Sequence, residues 1–248
     1  MLPTTMIGNT TYCIPLIQLK TMKKLGLYCA FALVLASCDS APIPENNAED
    51  LQHDEATRVE LIFTPGTLAQ DNIKDHIYAQ GFTPDASRPT LVLNAETDQA
   101  TGHRTITPNA GLNFVPNRWY KVEVNLYNHA GTNINRSITA FPHQVNAHQF
   151  YFRTLVNNEN QADRYADYRY GDVTADGQLV MPPLGFVGYI RFKADLPDGA
   201  NLNPILVHVV PPAIKTQKRG EPYPFHTPPA SLMRDVDVNF PFPISVTP

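Results

Sequence analysis

Beyond Cys38 the chain has no cysteine, the only others being Cys13 and Cys29. No disulfide can form within the part that follows, and neither a thiolate metal site nor a thiol nucleophile is available there. The 211 residues from Cys38 to Pro248 are enough to hold together on an apolar core alone. Basic charge is scarce too. Three of the 19 Lys and Arg precede Cys38 and all 23 Asp and Glu follow it, so the part from Cys38 onward has a formal net charge of −7. The one basic run, Lys215 to Arg219, is short, lies among prolines and reads as a solvated loop, so nucleic acid is excluded as a partner. No apolar run approaches the ~20 residues that cross a bilayer, and no long amphipathic helical period is present. A Gly-x-Ser-x-Gly elbow, a phosphate-cradling glycine loop, a dinucleotide fingerprint, a His-Glu-x-x-His helix and an EF-hand loop are all missing. These absences argue against an enzyme.

What is present begins with an export signal. Lys23 and Lys24 make a positive start, Leu25 to Leu35 an apolar stretch, and Ala36 and Ser37 the small residues before a cleavage site. Leu35-Ala36-Ser37-Cys38 resembles a bacterial lipobox, in which the cysteine is acylated and becomes the mature N-terminus. Residues 22–37 then form the lipoprotein signal peptide, and residues 1–21 an extension upstream of the better start at Met22. A genuine long positive region that includes Lys20 is the alternative. Residues 38–56 are polar, acidic and proline-bearing, with too little apolar surface to offset the entropy of ordering, and read as a tether.

Residues 57–248 carry strand patterns. Val59, Leu61 and Phe63 alternate, and the run stops at Thr64-Pro65-Gly66. Thr67 to Pro89 reads as an irregular loop and as the first place to look for a site. Short strands follow at Thr90–Asn94 and His103–Thr107. The clearest period of two places Tyr120, Val122, Val124 and Leu126 on one face of a central strand. A turn around Gly131 leads to a return strand through Ile134, Ile138 and Phe141. Phe150 and Phe152 share a face with His148. Thr174-Ala175-Asp176-Gly177 is a hairpin-type turn, Phe186–Phe192 a strand, and Ile205 to Val210 a near-continuous apolar strand suited to a buried position. The proline-dense Pro211 to Pro229 reads as an extended crossing segment, and alternation returns at Asp235–Phe240. The expected fold is all-β, an antiparallel β-sandwich with Ig-like strand spacing, either one large sandwich or two small packed ones dividing near Asn157.

The eight histidines are the only transition-metal set. His143 and His148, with His76, are the candidate ligands; they are five apart, so a bend at Pro142 or Val145-Asn146 has to bring them together. His208, inside an apolar strand, reads as a packed imidazole. Trp119, Tyr168 and Tyr170 are the candidate platform for a stacked carbohydrate or haem, against the commoner reading of sheet packing with wet phenolic tips.

The lipobox, Val59 to Gly66, the strand from Trp119 to Asn128, His148 to Phe152, Pro183 to Gly188 and Leu206 to Pro212 together resemble poorly characterised Bacteroidota-type β-rich lipoproteins. The resemblance implies a place in the envelope of a Gram-negative bacterium, on the outer membrane rather than the inner. It also implies a partner such as a TonB-dependent transporter or an envelope complex. Relatives tend to carry a histidine-rich stretch after the first strand; here Thr67 to Asp71 holds none before His76, which weighs against a metal there. The expected function is a non-enzymatic binding lipoprotein held to the membrane by lipid on Cys38. The alternatives are a structural component of the cell surface, and metal or haem capture. Replacing Cys38 by Ser should abolish incorporation of a labelled fatty acid, measured on the protein expressed in a host with lipoprotein processing.

Overall fold

The computed structural model describes residues 55–73, 77–139, 143–210, 213–217 and 220–247, all within one unit spanning Asn47–Pro248. The upstream extension, the signal peptide, Cys38, His76 and all but the end of the tether lie outside the described residues. No described helix is long and apolar enough to cross a membrane.

The fold is all-β, built as two facing sheets. Arg58–Ile73 (β1) turns Val59, Leu61 and Phe63 inward, as their alternation requires. Tyr78–Pro84 (β2), Leu91–Thr97 (β3), Arg104–Thr107 (β4) and Leu112–Phe114 (β5) follow, and then Trp119–Tyr127 (β6), buried at Tyr120, Val122, Val124 and Leu126. Two short helices, Asn135–Thr139 (α1) and His143–Ala147 (α2), precede His148–Val156 (β7) and Glu159–Asn160 (β8). Ala162–Tyr165 (α3), Ala166–Tyr170 (β9), Val187–Phe192 (β10), Asn201–His208 (β11), Val236–Asn239 (β12) and Phe242–Val246 (β13) complete the chain.

One sheet has seven strands in the order β2-β9-β10-β6-β1-β3-β4, and the other has the path β5-β13-β11-β7-β8 with β12 added against β11. Strands from both sides of Asn157 enter both sheets. Pairing is antiparallel except at β2–β9 and β5–β13, so both sheets are mixed rather than purely antiparallel. Between them lies a core in which Phe114 is the hub. Its ring packs edge-on against Phe63 at 5.2 Å and Tyr120 at 5.0 Å, and tilts against Phe192 at 4.8 Å. A second apolar cluster of Tyr151, Ile205, Val207, Val209 and Leu232 covers the outer face of β7 and β11. Those strands are therefore buried on both sides, which is why Ile205 to Val209 reads as a near-continuous apolar run, broken only by His208.

Two expectations are corrected. Residues 67–73 and Tyr78–Pro84 are strand rather than irregular loop: β1 continues to Ile73 and pairs with β2, closing a circuit β1-β6-β10-β9-β2-β1. Leu68, Ala79 and Phe82 meet Trp119 and Tyr189 from distant strands, while Ile73, Ile77 and Tyr78 pack on the inter-sheet core, so the apolar groups are divided between two faces and show little local period. Gly66 pairs with both Trp119 and Pro84, and a Cβ there would strike the Thr83 carbonyl and the Phe82 ring. The return strand after Gly131 is instead α1. The edge of β6 is served by a side chain: Asn135 accepts from the Leu126 amide through Oδ1 at 2.8 Å and donates Nδ2 to the Val124 carbonyl at 2.7 Å. That amide does for two backbone groups what a strand would have done.

Phe152 is fully buried, with its ring stacked on Tyr168 at 4.7 Å. Phe152→Ala should cost about 3–5 kcal/mol, measured as a lowered urea midpoint at unchanged slope.

Candidate functional site

Among the described residues, the strongest cluster of chemistry-bearing side chains comes from three strand positions. His148 opens β7 and His208 closes β11, and the antiparallel register sets them directly opposite each other. Side chains of such a pair emerge on the same face. The two imidazoles lie with centroids 4.6 Å apart and planes inclined by 24°, His148 fully buried and His208 nearly so. The third residue arrives through an irregularity. β12 pairs with β11 at Leu206↔Val238 and Val207↔Val236, so Asp237 is the extra residue of a bulge. Val236 joins the outer apolar cluster while Val238 joins the inter-sheet core. The bulge re-aims Asp237. Its Oδ2 lies 3.6 Å from His148 Nε2, and one donor atom from each of the three residues lies within 4.8 Å of the others.

Donors of a tetrahedral ion with bonds of ~2.0–2.1 Å stand about 3.3 Å apart. The closest pair is already near that spacing, and the widest must draw in by roughly 1.5 Å or less. Two imidazoles and one carboxylate form an N₂O set that suits zinc, copper, nickel or ferrous iron rather than magnesium or calcium. Asp235 stands beside this group, its Oδ2 3.5 Å from His208 Nδ1 and its side chain half exposed.

Of the residues expected from sequence to bind metal, only His148 stands in this cluster. His76 lies outside the described residues, as does the side chain of His143, whose backbone begins α2. The partners of His148 are His208, read as simple packing, and Asp237, read as the polar face of an alternating strand. A histidine at the end of each of two strands and an Asp-x-Asp step are visible in the sequence. Their meeting depends on register and on the bulge, which are not.

The stacking platform does not assemble. Tyr168 and Tyr170 face the inter-sheet core, and both line a crevice of about 610 Å³ with Tyr223 and Phe225. Trp119 belongs to the opposite face of the sheet, packed with Ala79 and Tyr189 beneath the guanidinium of Arg191 at 4.6 Å. The Tyr170 hydroxyl donates to the Phe150 carbonyl and accepts from Gln149 Nε2, each at 3.0 Å, so that phenolic tip is buried rather than wet.

A groove of about 1240 Å³ lies along the hairpin of residues 172–182, with Tyr189, Leu184, Phe186 and Asp172 in its lining. Asp172 is buried and accepts from the amides of Gly185 at 2.6 Å and Val187 at 2.8 Å, which pins the chain ahead of β10. Burial pushes its carboxyl up to about 6, against those amides and the charge of Lys215. Lys215 corrects the expectation of a solvated basic loop. Its side chain is buried and donates to the Val145 carbonyl at 2.8 Å, and burial pushes the amine down to about 7 against the attraction of Asp172.

No protein-family model matches the chain, and neither a curated protein nor a solved structure matches it.

Lys215 and Asp172 make opposite contributions to the pH dependence of stability. A lysine whose folded pKa is lowered holds its proton more weakly in the folded state, so stability should rise as pH climbs from about 7 toward the unfolded value of 10.5. An aspartate whose folded pKa is raised contributes stability that is full below 3.8 and lost as pH rises through about 6. Lys215→Met should remove the rise above pH ~7 and extend the fall due to Asp172 to higher pH. Urea unfolding midpoints across both intervals, compared with wild type, check this.

Proposed function

We propose that the chain is a lipid-anchored binding protein of the Gram-negative cell envelope, without catalytic activity, that holds one divalent transition-metal ion through His148, His208 and Asp237. The observation that carries the reading is the cross-strand histidine pair with the bulged aspartate aimed at it. Imidazole and carboxylate are ligands for the same borderline ions, and their backbones are fixed by ladder pairing, which limits the entropy lost when an ion is bound. Anchoring through lipid on Cys38, and docking on an outer-membrane transporter of the TonB-dependent kind, belong to the same proposal and rest on the resemblance of the chain to envelope lipoproteins.

The rival readings have less to work with. Haem needs a flat slot between or beside its axial imidazoles, whereas these rings face each other across neighbouring strands. Assembly by edge pairing needs long open strands. The seven-stranded sheet closes through β2 and β1 on one side and ends in the four-residue β4 on the other.

Titration of the purified, metal-stripped protein with Zn²⁺ in a calorimeter should give one site per chain. Alanine in place of His208 or of Asp237 should weaken binding at least 100-fold. His226→Ala, at a histidine engaged instead with Asp163 at 2.7 Å, should leave it unchanged. At zinc concentrations 100-fold above Kd the wild type should gain about 2.7 kcal/mol of stability. Absence of a stoichiometric site, or a site indifferent to His208 and Asp237, rejects the reading.

A further inference from the structure

The geometry points to Asp235 as the residue that positions His208 for the ion, as the outer carboxylate of a carboxylate–histidine–metal relay; this inference rests on the metal reading above. An imidazole has two nitrogens, and a neutral ring has one donor and one acceptor. Nδ1 of His208 faces the Asp235 carboxylate, with Oδ2 at 3.5 Å. A carboxylate can only accept, so its presence there favours the tautomer that carries the proton on Nδ1 and leaves the lone pair of Nε2 for a ligand. Asp237 comes from the same strand end two residues later. A single short segment therefore supplies both the carboxylate that would touch the ion and the one that would orient the neighbouring imidazole.

The backbone supports the same assignment. The His208 amide donates to the Asp235 carbonyl at 3.1 Å, which holds Asp235 opposite the end of β11 before the bulge begins. His208 is buried to within a tenth of its surface, whereas the Asp235 side chain is 51% exposed. The relay therefore runs from solvent inward, and Asp235 can be changed without opening a cavity. Such outer carboxylates typically account for 10- to 100-fold in metal affinity.

The test is a comparison of Zn²⁺ affinity and Co²⁺ spectra for the full chain and its Asp235→Asn, Asp235→Ala and Asp235→Glu variants, with Asp237→Ala alongside. The expected result is one ion per chain throughout the Asp235 series. Affinity should be 10- to 100-fold weaker in Asp235→Ala, less weakened in Asp235→Asn, and partly restored in Asp235→Glu. The visible band shape of the Co²⁺ form should be unchanged, because the atoms touching the ion are the same. The thermal midpoint of the metal-free protein should also stay at the wild-type value. Wild-type affinity in Asp235→Ala overturns the relay while leaving the metal site standing. A changed Co²⁺ spectrum in Asp235→Ala also overturns it, since Asp235 would then be a ligand or a structural support. Failure of the wild type itself to bind Zn²⁺ or Co²⁺ refutes the metal reading, and this inference with it.

Discussion

The pairing of β7 with β11 is the constraint on which the rest of the structure depends. Eight residue pairs run from Asn201↔Leu155 to His208↔His148 in one unbroken register. A slip of β7 by one residue would exchange the faces of its side chains, sending Phe150 and Phe152 out of the inter-sheet core and Tyr151 into it. The same slip of β11 would do so for Leu202 and Leu206 against Ile205 and Val207. Because both faces are buried, the register is specified from both sides at once. The same register leaves the two histidines opposite each other at the ladder's end. Their proximity is a by-product of core packing and needs no separate device to maintain it.

Several polar groups in this interior are tied to a particular structural task. Asn135 completes the edge of β6, Asp172 holds the amides ahead of β10, and Tyr170 caps the Phe150 carbonyl. Burying such groups costs several kcal/mol when partners are missing, so each marks a place where the backbone departs from a simple ladder. The His148–His208–Asp237 group differs from these. It brings three ionisable side chains together at a bulge, as a ligand site requires.

Much of the fold was legible because it follows from period. The inward alternation of β1 and β6, the apolar continuity of β11 and the turn at Gly177 all express local stereochemistry, and each appears where the residues imply it. The segment from Thr67 to Pro84 was illegible because its apolar groups are divided between Trp119 and Tyr189 on one face and the inter-sheet core on the other, all partners far along the chain. The helix after Gly131 was misread because an asparagine amide can stand in for a strand, a substitution that hydrophobic pattern does not record. Lys215 was assigned to solvent on its charge, and only its contact with the Val145 carbonyl shows otherwise.

By itself the sequence determined the all-β class, the strands able to be buried on both faces, and a supply of histidine and aspartate with no cysteine after Cys38. It singled out His148 but grouped it with His143, five residues away, and with His76, because a sequence displays no proximity other than that along the chain. The tertiary structure decided that His148 meets His208, some 60 residues away, and that Asp237 turns toward them. The physical reason is that strand register is set by the summed packing of two cores, and a bulge by the mismatch it relieves. Neither quantity belongs to any one stretch of residues.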